Sequence, residues 1–249
     1  MTVAVLLAGG SGSRFGGEQP KQFLVVAGKS ILAHTIDVFE SHPLIDEIAI
    51  VTRADSMEET QRIVAEGGYQ KVKRFLIGGR ERYHSSLAAI NAYTDDETRL
   101  LIHDAVRPLV SHRIISDCIH ALDHYEAVDV AIPATDTIIR VDEHDCIVET
   151  PPRAMLRNVQ TPQGFLRGTI SRAYEIGLRD PAFVTTDDCG VVHHYLPDTP
   201  IYVVRGEVTN IKITYPEDLM LLKASPTAPS IPSDARPCAA SKKSEGENN

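Results

Sequence analysis

The chain lacks any apolar stretch long enough to cross a membrane. Its 249 residues contain no run near the ~20 apolar residues that a membrane-spanning helix needs. A secretory signal peptide is not visible either, because Gly9 interrupts the first apolar run almost at once. We therefore expect a cytoplasmic protein that does not contact the membrane.

Closely spaced cysteines and metal-binding pairs are also missing. The cysteines form no C-x-x-C pair and lie far apart, at Cys118, Cys146, Cys189 and Cys238. His193 and His194 are adjacent, but no other His or Cys has ligand spacing to them. We interpret the thiols as reduced side chains of a cytosolic protein and the two histidines as exposed or capping residues.

Positive net charge is absent as well. The chain has 25 Lys and Arg against 34 Asp and Glu, a net charge of −9, which disfavours nonspecific binding to nucleic acids or anionic membranes. No G-x-S-x-G elbow and no Ser-His-Asp order is present. Any phosphate-binding charge must therefore be local, and the chemistry must work without a nucleophilic triad.

What the chain does contain is an alternation of apolar runs and helical periodicity. At 43% hydrophobic residues, it can form one sizeable core. The predicted strands are Val3–Leu7, Ile48–Val51, Val72–Ile77, Leu100–His103, Val128–Ile132 and Ile201–Val204. The predicted helices are Ile31–Glu40, Met57–Glu66, Tyr83–Tyr93, His112–Tyr125, Thr169–Leu178 and Pro216–Lys223. This order predicts an α/β fold with a Rossmann-like, mainly parallel sheet and helices on both faces.

The alternation stops after residue 133. Thr137–Val141 and Cys146–Thr150 are predicted to form a hairpin whose unpaired edges are suited to packing on a partner chain. Residues 225–249 are rich in Pro, Ser, Ala and Lys, which predicts a disordered tail. We therefore predict one domain over residues 1–224, and we expect deletion of residues 226–249 to leave activity unchanged.

A glycine-rich loop follows the first strand. Ala8–Gly17 is too rich in glycine to pack a core, and Arg14 and Lys21 add positive charge beside it. Glycine lets the backbone approach a ligand closely, and successive N–H groups can bind an anion. The loop therefore suggests a polyphosphate site, because a plain strand–helix turn needs neither cation.

Two better-known glycine motifs do not fit this loop. The dinucleotide pattern G-x-G-x-x-G fails because its third glycine is replaced by Phe15, which argues against a nicotinamide oxidoreductase. Gly28-Lys29-Ser30 looks like the end of a Walker A loop, but Phe23 occupies the place of its first glycine.

Two further loops follow predicted strands. Asp104 and Arg107, in His103–Pro108, can hold a substrate's hydroxyl and phosphate groups, or a shared Mg²⁺, or they can simply pair with each other. Gly78–Ser85 can contact a nucleobase or ribose, or it can be an ordinary helix N-terminus. Because ligands of such sheets bind at the carboxyl ends of the strands, both loops are expected to face the glycine loop.

Three later segments are more ambiguous. Asn210–Thr214 is predicted to be a short strand, in which Lys212 either meets an anion or lies at a solvated edge. Thr185–Asp188 can be the N-cap of a helix. Asn158–Phe165 is a polar segment between apolar ones.

Together these motifs resemble the CTP-dependent cytidylyltransferases that act on sugar-alcohol phosphates, a family that includes enzymes for 2-C-methyl-D-erythritol 4-phosphate and for ribitol 5-phosphate. The motifs occur in the family's order over residues 1–223. The resemblance implies a β-arm near residues 135–160 that forms a homodimer. It also implies that CTP and a polyol phosphate give a CDP-polyol and pyrophosphate, with Mg²⁺.

The resemblance also assigns roles to individual residues. The catalytic cations are Arg14, Lys21 and Lys212. The nucleotide-binding residues are Leu7, Ala8, Gly9, Gly10, Gly12, Gly79, Arg82, Ser85, Asp104 and Ala105. The substrate-binding residues are Asp104, Arg107, Asp136, Arg153, Thr161 and Thr186, with Asp104 as the candidate metal ligand. Arg153 is expected to reach the substrate phosphate bound to the neighbouring subunit.

The chemistry agrees with the missing triad. The attacking group is a phosphate oxygen, largely dianionic at neutral pH because its second pKa is near ~6. Such a nucleophile needs charge neutralisation and alignment rather than a strong general base.

We expect loop variants to distinguish the two substrates. Erythritol-phosphate enzymes usually have Pro-Ala-Ala-Gly and Asp-Ala-Ala-Arg, whereas this chain has Leu7-Ala8-Gly9-Gly10 and Asp104-Ala105-Val106-Arg107. Both variants resemble the ribitol branch, so the sequence favours D-ribitol 5-phosphate and a role in polymers such as teichoic acid. The alternative is 2-C-methyl-D-erythritol 4-phosphate, in isoprenoid precursor synthesis. A transferase for another nucleotide and a non-catalytic nucleotide-binding module are the remaining rivals.

Overall fold

The computed structural model describes residues 1–10 and 19–224, with side chains through residue 222. The strands are β1 (Thr2–Leu7), β2 (Val25–Val26), β3 (Lys29–Ser30), β4 (Glu47–Thr52), β5 (Val72–Ile77), β6 (Arg99–Asp104), β7 (Ala127–Pro133), β8 (Arg140–Val141), β9 (Ile147–Glu149), β10 (Arg157–Leu166) and β11 (Ile201–Arg205). The helices are α1 (Ile31–Glu40), α2 (Met57–Gly67), α3 (Arg82–Asn91), α4 (His112–Ala121), α5 (Arg167–Gly177), α6 (Asp188–Tyr195) and α7 (Leu219–Ala224). The expected roles of Gly12 and Arg14 and the expected tail fall outside the described residues.

The central sheet confirms the mainly parallel topology. Its strand order is β11-β7-β10-β6-β1-β4-β5, and β10 alone among these strands runs antiparallel to both of its neighbours. Leu7 lies opposite Val51 on one side and Asp104 on the other. The carboxyl ends of β1, β4 and β6 therefore end at one level, where their loops meet.

Helices cover both faces of the sheet, as the alternation predicts. On one face α1, α2 and α4 pack on Ala4 and Leu6 of β1. On the other face α3, α5 and α6 pack on Val3 and Val5. Because both faces of β1 are buried, the strand is apolar from Val3 to Leu7 instead of alternating.

Short polar side chains start three of the helices. Ser30 Oγ accepts a hydrogen bond from the Ala33 N–H at the start of α1, and Ser111 does the same for α4. Asp187 caps α6, since its carboxylate accepts from the Gly190 N–H at 2.7 Å. The N-cap predicted within Thr185–Asp188 is therefore confirmed.

Among the predicted elements, the hairpin and the strand at Asn210–Thr214 differ most from those observed. The hairpin exists, but its paired strands, β8 and β9, are shorter than predicted. Asn210–Thr214 is not a strand, and that prediction is wrong. The segment crosses the loop after β6, with the Ile213 N–H donating to Val106 O at 2.9 Å.

Over residues 1–10 and 19–224, the structure contains no helix with the length and apolar character needed to cross a bilayer.

Candidate active site

A cavity of about 660 Å³ opens at the carboxyl ends of β1, β4, β5 and β6. This is the edge of a parallel sheet at which ligands bind. The residues that line it are Leu7, Ala8, Gly9, Gly10, Lys21, Gln22, Arg53, Ala54, Ile77, Gly78, Gly79, Arg80, Glu81, Arg82, Ser85, Asp104, Val106, Lys212 and Thr214. We call this cavity the nucleotide pocket.

Glycines bring two walls of the nucleotide pocket close to α3. A Cβ atom at Gly78 would lie 2.3 Å from Ser85 Oγ, and one at Gly79 would lie 2.6 Å from His84 Cβ. Across the pocket, a Cβ at Gly9 would be in ordinary contact with Ser85 Oγ at 3.5 Å. Ser85 therefore lies between the loops after β1 and β5, and a side chain at Gly78 or Gly79 would force them apart.

A buried glutamine fixes the start of the glycine loop. The Gln22 amide donates to Ala8 O at 2.8 Å, and the Ala8 N–H donates to Val51 O at 2.7 Å. The backbone at Ala8 is therefore tied to β4 on one side and to the turn that carries Lys21 on the other.

Asp104, the last residue of β6, lies at the centre of a cluster of cations. Its Oδ2 is 3.1 Å from Lys212 Nζ and 3.3 Å from Arg107 Nε, and its Oδ1 is 3.9 Å from Arg82 Nε. Burial opposes ionisation of this carboxyl group, but the three positive charges outweigh it and hold the pKa of Asp104 well below its usual range. Asp104 is therefore a carboxylate at every physiological pH.

The segment 210–214 brings two lysines to the same pocket. Lys21 Nζ donates to Ile213 O at 2.8 Å, and the neighbouring Lys212 reaches Asp104. Together with Arg82, these lysines place fixed positive charge on the pocket wall. Such a cluster suits the phosphates of a nucleoside triphosphate.

Behind the pocket, two buried amides hold this segment in place. The Asn210 amide donates to Thr161 O at 2.8 Å and to Gln160 Oε1 at 3.3 Å. The Gln160 amide donates in turn to Glu207 O at 2.8 Å. Lys212 is therefore positioned by contacts with β10, not by a strand of its own.

His103 is buried beneath Asp104. Its Nδ1 is 2.9 Å from Thr161 Oγ1, and its Nε2 is 3.1 Å from Arg107 O. Burial is the main cause that lowers the pKa of His103 to about 4, so the ring is neutral at neutral pH. It supports the loop after β6 and does not contribute charge.

The structure brings most of the expected nucleotide site together. The expected residues that line the pocket are Leu7, Ala8, Gly9, Gly10, Lys21, Gly79, Arg82, Ser85, Asp104 and Lys212. Arg107 lies beside the pocket, where it contacts Asp104 and donates to Asn210 O at 2.9 Å. Nucleotide contacts and a catalytic step by these residues stay predictions.

Two expected contacts lie beneath the pocket floor. Ala105 is fully buried, its N–H donates to Leu7 O, and its carbonyl accepts from Thr35. Thr161 is also buried, and its hydroxyl accepts from the Asp104 N–H at 3.1 Å. Both residues therefore support Asp104 in this structure instead of facing the pocket.

Three expected substrate contacts lie away from this pocket. Asp136 and Arg153 belong to the segment around the β8–β9 hairpin, where Arg153 donates to Thr135 O at 3.0 Å. Thr186 is exposed in the turn before α6. Arg153 therefore does not contact the nucleotide pocket of its own chain.

Sequence reasoning missed part of the pocket wall. The lining residues outside the motifs singled out from the sequence include Arg53, Ala54 and Ile77. A signal for Arg53 was present, because it directly follows β4, a strand that ends beside β1. The loop after each of these strands is a candidate for the site, whether or not it contains glycine.

The donor set also limits what kind of metal the pocket can hold. Among the described residues, no group of three or more His, Cys, Asp or Glu side chains could hold a metal ion. The carboxylates found there on the pocket wall are Asp104 and Glu81. Mg²⁺ is commonly held by one or two carboxylates together with substrate phosphates. Asp104 Oδ1, which lies 3.9 Å from Arg82 Nε, is the oxygen that would serve as such a ligand.

The chain is similar in sequence to a family of known proteins. The family described as 2-C-methyl-D-erythritol 4-phosphate cytidylyltransferase matches residues 2–225. The chain is 46% identical over 227 residues to an enzyme of that description from Thermobifida fusca, covering 89% of this chain and 91% of the relative. It is also 46% identical over 222 residues to the bifunctional ribulose 5-phosphate reductase/CDP-ribitol pyrophosphorylase Bcs1 of Haemophilus influenzae. That match covers 88% of this chain but 47% of the relative, so this chain corresponds to about half of the bifunctional protein.

Solved structures show the same fold. The crystal structure of 4-diphosphocytidyl-2C-methyl-D-erythritol synthase from Anaerococcus prevotii has a TM-score of 0.79 and 31% identity, covering 90% of this chain and 94% of the other. The corresponding cytidylyltransferase of Thermus thermophilus has a TM-score of 0.68 and 29% identity, covering 90% and 98%.

Proposed function

Because this chain belongs to the family of 2-C-methyl-D-erythritol 4-phosphate cytidylyltransferases, and is itself a cytidylyltransferase, we propose that its acceptor is 2-C-methyl-D-erythritol 4-phosphate. The match over residues 2–225 carries this proposal. The Thermobifida fusca relative of that description supports it over nearly its whole length. The nucleotide pocket supplies the local positive charge that a triphosphate needs.

This proposal corrects the preference for D-ribitol 5-phosphate. The comparisons support the erythritol phosphate better, since relatives of that description from several genera match, among them Bifidobacterium longum at 41% identity. The ribitol alternative keeps one observation in its favour, the 46% identity to the Haemophilus influenzae protein. The loop variants at Leu7–Gly10 and Asp104–Arg107 therefore do not decide the substrate.

In the proposed reaction, a phosphate oxygen of the polyol phosphate attacks the α-phosphorus of CTP. A new P–O bond forms as the bond to the β-phosphate breaks, and pyrophosphate leaves with the electron pair. Lys21 and Lys212 bind and align the phosphates and stabilise the charge that develops on them. Asp104 holds Lys212 in place through the 3.1 Å contact. No side chain has to remove a proton, because the attacking oxygen is already ionised.

We propose Mg²⁺ as the metal of this reaction, held by Asp104 together with CTP phosphates. A bound Mg²⁺ would neutralise negative charge on the phosphates and orient them. The chain's own part is to keep Asp104 ionised, and the surrounding cations do so.

We further propose that the hairpin arm joins two copies of the chain. In the isolated chain the arm exposes apolar side chains, namely Ile138, Ile139, Val141, Ile147 and Val148. Covering them against a second copy would remove this apolar surface from water. It would also explain why Asp136 and Arg153 lie away from the pocket of their own chain.

The deciding experiment compares two acceptors. Purified full-length protein receives CTP and Mg²⁺ with either 2-C-methyl-D-erythritol 4-phosphate or D-ribitol 5-phosphate, and pyrophosphate release gives kcat/KM for each. We expect the erythritol phosphate to be preferred by at least about tenfold, because hydroxyl-binding sites discriminate strongly between polyols.

Other results have distinct meanings. A preference for the ribitol phosphate would overturn the proposal in favour of its alternative. Replacing CTP by UTP, GTP or ATP serves as the nucleotide control, and strong turnover with any of them would contradict the cytidine assignment.

A further inference from the structure

We propose that Asp188 is a positioning residue that aims Arg82 into the nucleotide pocket. The inference rests on the proposed function, because it concerns how the same pocket holds CTP. Apart from the N-cap predicted within Thr185–Asp188, which Asp187 provides, neither the motifs nor the resemblance assigned Asp188 a role. Asp188 is the first residue of α6. Arg82 lies between Asp188 and Asp104 and forms an ion pair with each.

Asp188 is a fully buried carboxylate, with 0% of its side chain exposed. Its Oδ2 accepts from Arg82 Nη1 at 2.6 Å, and its Oδ1 accepts from the Tyr174 hydroxyl at 2.6 Å. A buried charge is costly unless it is paired and hydrogen-bonded, and Asp188 is both. Its charged partner, Arg82, belongs to the nucleotide pocket.

Arg82 lies between two carboxylates. Its guanidinium contacts Asp188 at 2.6 Å, whereas the other carboxylate, Asp104, is 3.9 Å away. The side chain remains 28% exposed on the pocket wall. Because the nearer contact is with Asp188, the guanidinium is held back from Asp104 and keeps donors available to the pocket.

Removing the charge of Asp188 would change this balance. Of the two carboxylates that contact Arg82, only Asp104 would remain charged, and Arg82 would be drawn toward it. Asp104 already bonds to Lys212 and Arg107 through Oδ2, so Arg82 would add a third close cation at Oδ1 and weaken the attraction of this carboxylate for Lys212. Arg82 would then no longer be oriented toward the pocket, and the position of Lys212 would be disturbed.

The backbone of Asp188 has a separate anchor. Its N–H donates to Gln163 Oε1 at 3.1 Å, and the Gln163 amide donates to Asp187 at 3.2 Å and to Asp129 at 3.0 Å. Gln163 therefore holds the turn that contains Thr186 without using the Asp188 side chain. Loss of the Asp188 charge should weaken CTP binding and leave the KM for the polyol phosphate nearly unchanged.

A double-mutant cycle tests the proposal. The variants are Asp188→Asn, Arg82→Ala and the two combined, with Tyr174→Phe as the matched control. The control removes the other hydrogen bond to the same carboxylate but leaves the Arg82–Asp188 pair intact. Calorimetric titration with CTP gives Kd, and thermal unfolding reports the stability of each variant.

We expect Asp188→Asn to raise the Kd for CTP about tenfold or more in the wild-type background. In the Arg82→Ala background it should have no further effect, because its action passes through Arg82. Tyr174→Phe should lower the melting temperature and leave Kd within about twofold. If Asp188→Asn does not fold, Asp188→Glu, which displaces the carboxylate by one methylene, takes its place in the cycle.

Two results would overturn the proposal. If the two substitutions raise the Kd for CTP independently, Asp188 does not act through Arg82. The proposed function would survive that result, because the wild type would still bind CTP. Failure of the wild-type protein to bind CTP would overturn this proposal and the proposed function together.

Discussion

At the scale of single residues, Asp104 organises the charge of the nucleotide pocket. Lys212, Arg107 and Arg82 approach one carboxylate from different elements. With Asp188, which pairs with Arg82, the cluster sets three positive charges against two negative ones and keeps a positive excess. The excess is available for phosphates, and Asp104 fixes its position before the nucleotide arrives, which is the preorganisation that phosphoryl transfer requires.

Lys212→Ala should lower kcat/KM by about a hundredfold, because it removes a preorganised cation from the reacting phosphates. The fold should persist, since the lysine side chain is 43% exposed and Asp104 keeps two other cationic neighbours. Pyrophosphate release with CTP and the preferred acceptor measures the effect. Lys29→Ala is the matched control, because that lysine is exposed and pairs with Asp37. Turnover of Lys212→Ala within a few-fold of wild type would rule out the catalytic role.

Asp129→Asn should stabilise the protein more at pH 8 than at pH 5. Burial is the main cause that raises the pKa of Asp129 to about 6 in the fold, from an ordinary value of 3.8. The folded chain therefore binds this proton more tightly, and the stability it contributes is lost as the pH rises through about 6. Asparagine avoids that loss, which between pH 5 and pH 8 is about 1.4 kcal/mol, because about one pKa unit separates pH 5 from the folded pKa.

Thermal unfolding of both proteins between pH 5 and pH 8 measures this difference. Buried His103 titrates in both proteins, so its contribution cancels in the comparison. A melting-temperature difference that stays constant across this range would contradict the raised pKa of Asp129.

At the scale of elements, the segment from Glu207 to Thr214 depends on buried amides. Asn210→Ala removes the hydrogen bonds to Thr161 O and Gln160 Oε1, leaving two buried acceptors short of a donor. We expect a loss of about 2 kcal/mol in the free energy of unfolding. We also expect a fall in kcat, because Lys212 lies two residues farther along the same segment.

Denaturant unfolding and steady-state kinetics of Asn210→Ala separate these effects. Glu217→Ala is a suitable control, since that residue is exposed in the turn after the segment. If stability falls and kcat does not, Asn210 supports the fold without positioning Lys212.

The elements also show why part of the site could be predicted and part could not. From Val3 to Leu7, β1 is apolar on both faces, and both β1 and β5 end in glycine loops. The strand β1 and the loop containing Gly78 could therefore be placed from sequence. The strand β10 could not, because Gln160 and Gln163 are buried through partners far away in the chain. Polar residues of this kind look like a loop until the tertiary contacts are known.

The same reasoning applies to Thr161 and Ala105. Their motif positions were visible, but whether their polar groups face a ligand or the protein depends on burial. Thr161 contacts both His103 and the Asp104 N–H, and those contacts come from sheet pairing between β6 and β10. Motif spacing identifies the edge of the sheet, whereas burial decides which side chains face the cavity.

At the scale of the whole molecule, charge is distributed unevenly. The chain carries a net charge of −9, yet Lys21, Arg82 and Lys212 face one cavity. A concave, partly water-excluded site concentrates the field of its own charges. An acidic protein can therefore bind a polyanion at one place while its remaining surface repels nucleic acids.

The apolar arm leads to a further expectation about the whole molecule. If the arm joins two copies, Ile147→Glu should produce a monomer, because the substitution would bury a charged side chain in the interface between them. Ile147 is 64% exposed in the isolated chain. Light scattering at micromolar concentration should give a dimer for wild type and a monomer for the variant.

Leu178→Glu provides the matched control for the arm variant, since Leu178 is an exposed apolar residue at the end of α5, on the body of the protein. It should leave the dimer intact. If Arg153 completes the substrate site of the partner, the Ile147→Glu monomer should also lose turnover while its CTP affinity stays close to that of wild type. A monomeric wild type would exclude the arm as an interface, and a fully active monomer would show that each chain binds its acceptor without its partner's Arg153.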